Sequence, residues 1–580
     1  MPINKLKQIT SKLPLNKSLV SYDWQTFNSD LFAGIITAIL LIPQGMAYAL
    51  LAGLPVQVGI YTSLLPALMY VLFGTSRVLS VGPVSIAAIM VASALSSPEI
   101  KALGSSTQNA MILALEGGLI LTIMSAFRMG SLVHFISQPV LSGFTSGAAL
   151  IILFSQFPNM MGIKIGSCTS ITECLNNAQS SLNIFDMGIG LLALATLLLM
   201  GAPLSKLLVN LGTQQTIRTG ITKSAPLLSV IIGTILVTAY SLDTTHSVEI
   251  VGHIPQGLPA IGVGFLSTSY DHFLALLPSA FFISLIAYVE SVAIAKVMAS
   301  IRSEKIDTNQ ELTALGASNL AASISGGMPV AGGFSRTMVN YSAGAQTQIA
   351  MLIAVAVISL VLVSISQSLQ SIPKAALASI IIVAVYPLVK LGSVVNVWKQ
   401  DRSDGISQLI TLLGVLILGI EEGIILGVIV TIFCYLRRTG KPHIAVVGRI
   451  HDTEHYRNIR RHKVETWDNL LLIRIDENIT FANINFISEF IEAESRETDA
   501  KNIVLIFSSV SYIDTTAILY LKELINSLKH KGVVLHLAEV KGPVIDKLEK
   551  IDFLKDLLPG QVFFQTTDAV KCFAPNINEA

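Results

Sequence analysis

Apolar residues fill the first three quarters of the chain in blocks too long for a water-soluble fold. No charged residue occurs from Leu31 to Ser76, 46 residues, or from Thr337 to Pro373, 37 residues. Each stretch has room for two membrane-crossing helices of roughly 20 residues joined by a short turn. Apolar runs between polar or Pro/Gly breaks predict helices at 31–52, 57–73, 83–95, 110–127, 139–156, 184–201 and 224–241. A second set follows at 273–299, 308–324, 334–343, 349–366, 375–389, 405–419 and 423–436. The pattern is seven plus seven, and the third member of each set is too short for a full span.

Beyond Leu436 the pattern changes. LLLIRID, NIVLIFSSVSYID and VVLHLAEV read as strands, alternating with helical stretches in FANINFISEFIEAES, TTAILYLKELINSLKHKG and near 542–555, which is α/β layering. The expected organisation is a cytoplasmic segment 1–30, a transmembrane transport domain 31–436 with repeats 31–241 and 273–436, a basic linker 437–463 and an α/β domain 464–575. Asp514, ahead of Thr515-Thr516-Ala517, reads as a helix cap.

Charge sharpens this picture. Hydrophobic residues make up 52% of the 580 and charged residues 13%, where a soluble chain carries about 25%. Residues 31–436 hold 30 of the 75 charged side chains. Lys206, Arg218, Lys223, Arg302, Lys305, Lys390, Lys399 and Arg402 fall in alternate loops, with Arg128. By the positive-inside rule those loops and both termini face the cytoplasm. The opposite loops carry only Lys101, Lys164 and Lys374. A net charge of +1 supplies no field to gather nucleic acid. No removable signal peptide is read at the Lys-rich start. No metal-ligand spacing, HExxH, Walker A or GxSxG motif occurs, so neither an enzyme nor a cofactor is expected.

The two short segments stand at matching places in the two halves, as the half-helices of an inverted-repeat transporter do. The first starts at Gly82-Pro83, with Val84 and Ser85 following; the second starts in a glycine-rich run and reads Phe334-Ser335-Arg336. Arg336 has no charged neighbour for more than twenty residues on either side. A guanidinium in that setting needs a partner or an anion, and its fork of donors suits an oxyanion; a snorkelling or structural arginine is the alternative. Glu290 is the one acid placed deep in a span. Its helical neighbours Ile286, Ala287, Ala293 and Ile294 offer no oxygen ligands, which favours a proton over sodium, with a structural ion pair to Arg336 as the alternative. Gln44 and Tyr48, four apart, share a helix face and are neutral anion contacts or helix-packing groups.

PQGMAYALLAGLPVQVGIYTSLLPALMYVLFGTSR, VGPVSIAAIM and GGFSRTMVNYSAGAQTQ resemble the SulP sulfate-permease family, whose branches include prestin and the plant sulfate transporters. The resemblance spans nearly the whole chain. It implies seven-plus-seven inverted repeats, a core moving against a gate, and an anion held between the third and tenth helices. By motif, Gln44, Tyr48, Val84, Ser85, Phe334, Ser335 and Arg336 then match substrate contacts, and Glu290 an acid linked to cation coupling. Ile294 stands where sodium-coupled members resemble one another in a hydroxyl residue. The C-terminal domain is similar to a STAS domain.

The expected function is proton-coupled uptake of an inorganic oxyanion, sulfate first, by alternating access in the inner membrane. Bicarbonate or dicarboxylate symport, chloride exchange and a passive anion channel are the alternatives. A homodimer in contact with lipid is expected. Cys168 and Cys174 share a predicted external loop and are expected to form a disulfide.

Overall fold

The computed structural model describes residues 22–134, 137–163, 182–213, 215–451 and 453–574. Cys168 and Cys174 lie outside them. Two compact units divide at Val430/Thr431.

The first unit is helical. Its principal helices are α1 Trp24–Leu51, α2 Val56–Tyr61, α3 Leu65–Phe73, α4 Ser85–Ser96, α5 Ser106–Ala126, α6 Gln138–Met160, α7 Ile184–Met200 and α8 Ala225–Tyr240. They continue as α9 Tyr270–Arg302, α10 Thr308–Ile324, α11 Phe334–Ser342, α12 Ile349–Ser364, α13 Lys374–Val385, α14 Arg402–Ile417 and α15 Ile420–Thr439. Each of the fourteen predicted segments contains a helix, the second broken between α2 and α3. Seven helical stretches among the described residues have the length and apolarity to cross a bilayer. The segments Ala202–Asn210, Gln215–Lys223 and Leu391–Gln400, read as loops from sequence, are short amphipathic helices. Where α1 crosses α2, a Cβ on Gly59 would stand 1.9 Å from the carbonyl oxygen of Gly45, so glycine alone permits that approach.

At the centre the chain leaves helical form twice. β1 Val81–Gly82 and β2 Ala331–Gly332 pair antiparallel, Val81 opposite Gly332. Inside a bilayer such backbone must find its partners within the protein. Ser291 Oγ accepts from the Gly332 amide at 2.7 Å, Thr337 Oγ1 from Ser80 at 3.1 Å and Asn319 Oδ1 from Val330 at 2.9 Å. Gln348 Nε2 donates to the carbonyls of Ser76 and Leu79.

The expectation that Glu290 is the one deep acid does not hold. Asp30, Glu116, Asp186 and Glu311 are also buried. Asp30 accepts from the amides of Gln346 and Thr347 at 2.6 and 3.1 Å, and Glu311 from Tyr70 Oη and the Thr75 amide, both at 2.8 Å. Asp30 and Glu311 are struts whose backbone donors lie far away in sequence, so no local pattern marks them.

The second unit is an α/β layer structure. Its strands are β3 Ile444–Arg449, β4 Tyr456–Asn458, β5 Leu470–Ile475, β6 Asn502–Ile506, β7 Val534–Ala538 and β8 Val562–Phe563. They form one sheet in the order β4-β3-β5-β6-β7-β8, parallel from β5 to β8. The first two strands fall in the stretch 437–463 expected as a linker; IAVVGR is short and flanked by basic residues, which hid its alternation. Asp514 caps the helix Thr515–His530, accepting from the Ala517 amide at 2.8 Å.

His536 on β7 is almost wholly buried. Its Nδ1 accepts from the Gln561 amide at 3.1 Å, so Nε2 carries the proton and donates to Asn502 Oδ1 at 3.2 Å. Burial pushes this imidazole down to about 4, whereas unfolded it titrates near ~6.5. The unfolded chain therefore takes up a proton that the folded one refuses between those values. Stability should be full above pH ~6.5 and fall as pH drops towards 4, by about 3 kcal/mol at most. Pulse proteolysis of this unit in urea, within the full chain, should show that fall in the parent and a flatter profile in His536→Gln.

Candidate anion-binding site

A cavity of about 440 Å³ lies beside the β1–β2 pairing. All eight of Gln44, Tyr48, Val84, Ser85, Glu290, Phe334, Ser335 and Arg336 line it. They come from α1, the start of α4, α9 and the start of α11, so four segments scattered over nearly 300 residues meet at one place.

The half-helices explain the chemistry. α4 begins after Val84 and α11 after Gly333, and neither residue supplies a side-chain cap. The first amides of a helix have no intrahelical partner, and each N-terminus carries about half a positive charge. Two such ends at one cavity make an anion seat of backbone alone.

Arg336 adds a full charge. It is 1% exposed. Nη1 donates to the Pro83 carbonyl, which ties the arginine of one half-helix to the start of the other. Nε and Nη2 have no partner among the described residues. A buried guanidinium with two idle donors beside a cavity is poised for an acceptor. Gly333 permits the close approach, since a Cβ there would stand 2.9 Å from Nη2. Phe334 and Ser335 are exposed to the cavity side, Phe334 by 51%.

On the facing wall Gln44 Nε2 donates to Tyr48 Oη at 2.9 Å. The phenol accepts there, so its own proton remains available to a ligand. Glu290 shares the cavity, and its Oε2 is buried without a partner. No ion pair within 4 Å joins it to Arg336 among the described residues, so the structural pair considered from sequence is not formed. Ser291, the next residue on α9, holds the Gly332 amide, and the helix bearing Glu290 is thereby fastened to the half-helix junction.

Sequence reasoning missed Lys223, which lines the same cavity at the end of Gln215–Lys223. It also missed Glu116, whose Oε2 is buried without a partner in the middle of α5. A single acid in the run AMILALEGGLILTIM was a readable signal for the second; nothing local distinguished the first from other loop lysines.

Comparison with known proteins follows the same division. A family model described as the sulfate permease family matches residues 27–411, and a STAS domain model matches 461–570. The chain is 32% identical over 571 residues to the probable sulfate transporter 4.2 of Arabidopsis thaliana, covering 96% of this chain and 83% of that one. It is 33% identical over 540 residues to the chloroplastic sulfate transporter 4.1 of the same plant, covering 91% and 77%. Among solved structures, murine solute carrier 26 family member A9, an anion transporter in the inward-facing state, superposes with TM-score 0.89 at 22% identity, covering 98% of this chain and 95% of that one. The transmembrane domain of the cyanobacterial bicarbonate transporter BicA gives 0.58 at 19% identity over 71% and 98%.

Proposed function

The chain belongs to the sulfate permease family, a family of transporters rather than enzymes, and from that premise we propose that it takes up sulfate with protons by alternating access. The observation that carries the reading is Arg336, buried with two idle donors where two uncapped half-helices meet.

Charge arithmetic supports a dianion with a proton. Arg336 and two helix ends of about half a charge each supply roughly two positive charges. Sulfate balances these three without Glu290, while Lys223 at the edge of the same cavity is a further cation that can meet the anion as it enters or leaves. An ionised Glu290 beside a bound dianion would repel it, and protonation of Glu290 removes that repulsion. Moving each negative charge into a cell costs about 2.3 kcal/mol per 100 mV, which a co-transported proton offsets. In this reading Gln44, Tyr48, Val84, Ser85, Phe334, Ser335 and Arg336 bind the anion and Glu290 carries the proton.

The wider reading is of fourteen spans in two inverted halves, with both termini in the cytoplasm, working as a homodimer in the inner membrane. The cavity's lining includes Thr222 and Lys223, in a stretch read as a basic cytoplasmic loop, which supports access from the inside. Purified protein in liposomes, offered labelled sulfate under an inward proton gradient, should accumulate it. Accumulation of bicarbonate or a dicarboxylate instead would reassign the substrate. Drive by sodium alone would reassign the coupling ion, and dissipation without accumulation would make the protein a channel.

A further inference from the structure

The amphipathic helix Leu391–Gln400 has no buried residue. It stands between the turn Tyr386–Leu388, which ends α13, and α14, which starts at Arg402. Two residues separate it from the turn and one from α14, and an extended residue reaches only about 3.5 Å. A segment tethered so tightly between two apolar spans stays at the membrane border.

Its three faces meet three surroundings. On one, Ser393 Oγ accepts from Gln408 Nε2 at 2.7 Å and stands 3.3 Å from Ser142 Oγ, which fastens the helix to α14 and α6. Val394 and Val397 are half-buried beside it. On the second, Leu391, Val395 and Trp398 follow at steps of four and three residues and so form one stripe, 51, 55 and 41% exposed. On the third, Gly392, Asn396 and Lys399 repeat that spacing and are exposed. A helix with an apolar stripe beside a polar one is built for the headgroup region, where the first enters the acyl boundary and the second stays wet.

The pose of the stripe is fixed from the protein side. A Cβ on Gly405 would stand 2.7 Å from Trp398 Cα, so glycine alone lets this end of the helix lie so close to α14. At the other end the Lys390 amide donates to Ser146 Oγ at 3.2 Å, and that hydroxyl donates to the Leu388 carbonyl at 3.3 Å. Leu388 and its neighbour Pro387 line the anion cavity. Whatever seats the helix therefore also steadies a wall of that cavity.

The surroundings of the stripe favour lipid over a second protein surface. Tyr386 before it, and Leu413 and Ile417 on α14, are large side chains exposed as spans expose them to a bilayer, and tryptophan is characteristic of the bilayer border. Residues 386–400 include Lys390 and Lys399 and no acid. The nearest acids, Asp401 and Asp404, belong to the start of α14, where Asp401 accepts from the Ser403 amide at 2.7 Å. Lysines so placed attract anionic headgroups.

We infer that Leu391–Gln400 is a seat for anionic phospholipid, with Leu391, Val395 and Trp398 among the acyl chains and Lys390 and Lys399 at the headgroup phosphates. Through Leu388 the seated lipid holds one wall of the anion cavity. The seat itself is independent of which ion is carried; its effect on rate rests on the transport reading above.

The test reads tryptophan emission from the purified full chain in phosphatidylcholine vesicles containing phosphatidylglycerol. Trp398→Phe serves as the blank, so the signal lost in that variant belongs to Trp398. A nitroxide carried on the acyl chain just below the glycerol should quench that signal, and iodide in the water should quench it little. Quenching by iodide alone would put the stripe in water, and quenching by neither would put it under protein, such as a second copy; either result would overturn the proposal. In the same vesicles, exchange of labelled for unlabelled sulfate should run about 3- to 10-fold faster than in phosphatidylcholine alone, and Lys390→Gln with Lys399→Gln should remove that gain. An equal gain in parent and variant, or no gain in the parent, would overturn the anionic headgroup as the partner. No sulfate exchange by the parent in either lipid would overturn the transport reading and leave the quenching to decide this one.

Discussion

Arg336→Ala should lose saturable sulfate binding, with affinity down at least about 100-fold, while the protein still inserts and purifies as a folded species. Two charged hydrogen bonds of roughly 1.5–3 kcal/mol each disappear, together with the one full positive charge between the half-helices. The fold should tolerate the change, because Nε and Nη2 hold no other group among the described residues and the bond to the Pro83 carbonyl is the one lost there. Arg336→Lys should recover part of the affinity, since an ammonium restores the charge but not the fork. Gln44→Ala and Ser335→Ala should cost less, roughly 1–3 kcal/mol each. Ligand-induced thermal shift reads all four, because stabilisation follows the ratio of ligand concentration to Kd. An alanine variant that sulfate still stabilises as the parent does would remove Arg336 from the site.

Glu290→Gln should separate binding from energy coupling. Glutamine imitates the neutral carboxyl, keeps its shape, and cannot give up a proton. Exchange of labelled for unlabelled sulfate should continue near the parental rate, while accumulation driven by an acid exterior should vanish. The external pH dependence of uptake should flatten at the same time. If accumulation in the variant still follows an imposed pH gradient, Glu290 does not carry the coupled proton. The absence of a direct ion pair with Arg336 makes the prediction clean, since the substitution breaks no such pair among the described residues.

Much of this was legible in the sequence, and the reason is solvent. A bilayer demands long uncharged runs, so Leu31–Ser76 and Thr337–Pro373 announced their helices. Breaks inside such runs are costly enough that Gly82-Pro83 and the glycines before Phe334 stood out. Arg336 was readable for the same reason, as a lone charge where charge is expensive. What stayed hidden depends on distant partners. Glu311 is held by Tyr70 and Thr75, 241 and 236 residues earlier, and Asp30 by a loop 316 residues later. Nothing near them in sequence says that those carboxylates are satisfied. Strand Ile444–Arg449 was obscured by basic flanks, and the role of Ser291 exists only because α9 passes the Gly332 amide.

The bond from Arg336 to the Pro83 carbonyl joins residues 253 apart, and that distance also sets a schedule for biogenesis. At about 5–20 residues per second, the ribosome needs roughly 10 to 50 seconds after making the first half-helix before its counterpart exists. Throughout that interval the uncapped start of Ser85–Ser96 waits in or near the membrane without the partner strand that satisfies its approach. The candidate site thus cannot assemble until the start of the second half-helix is made. A nascent chain whose first seven predicted helical segments are complete still lacks it, so the β1–β2 junction is where membrane quality control would tell the two halves together from the first half alone.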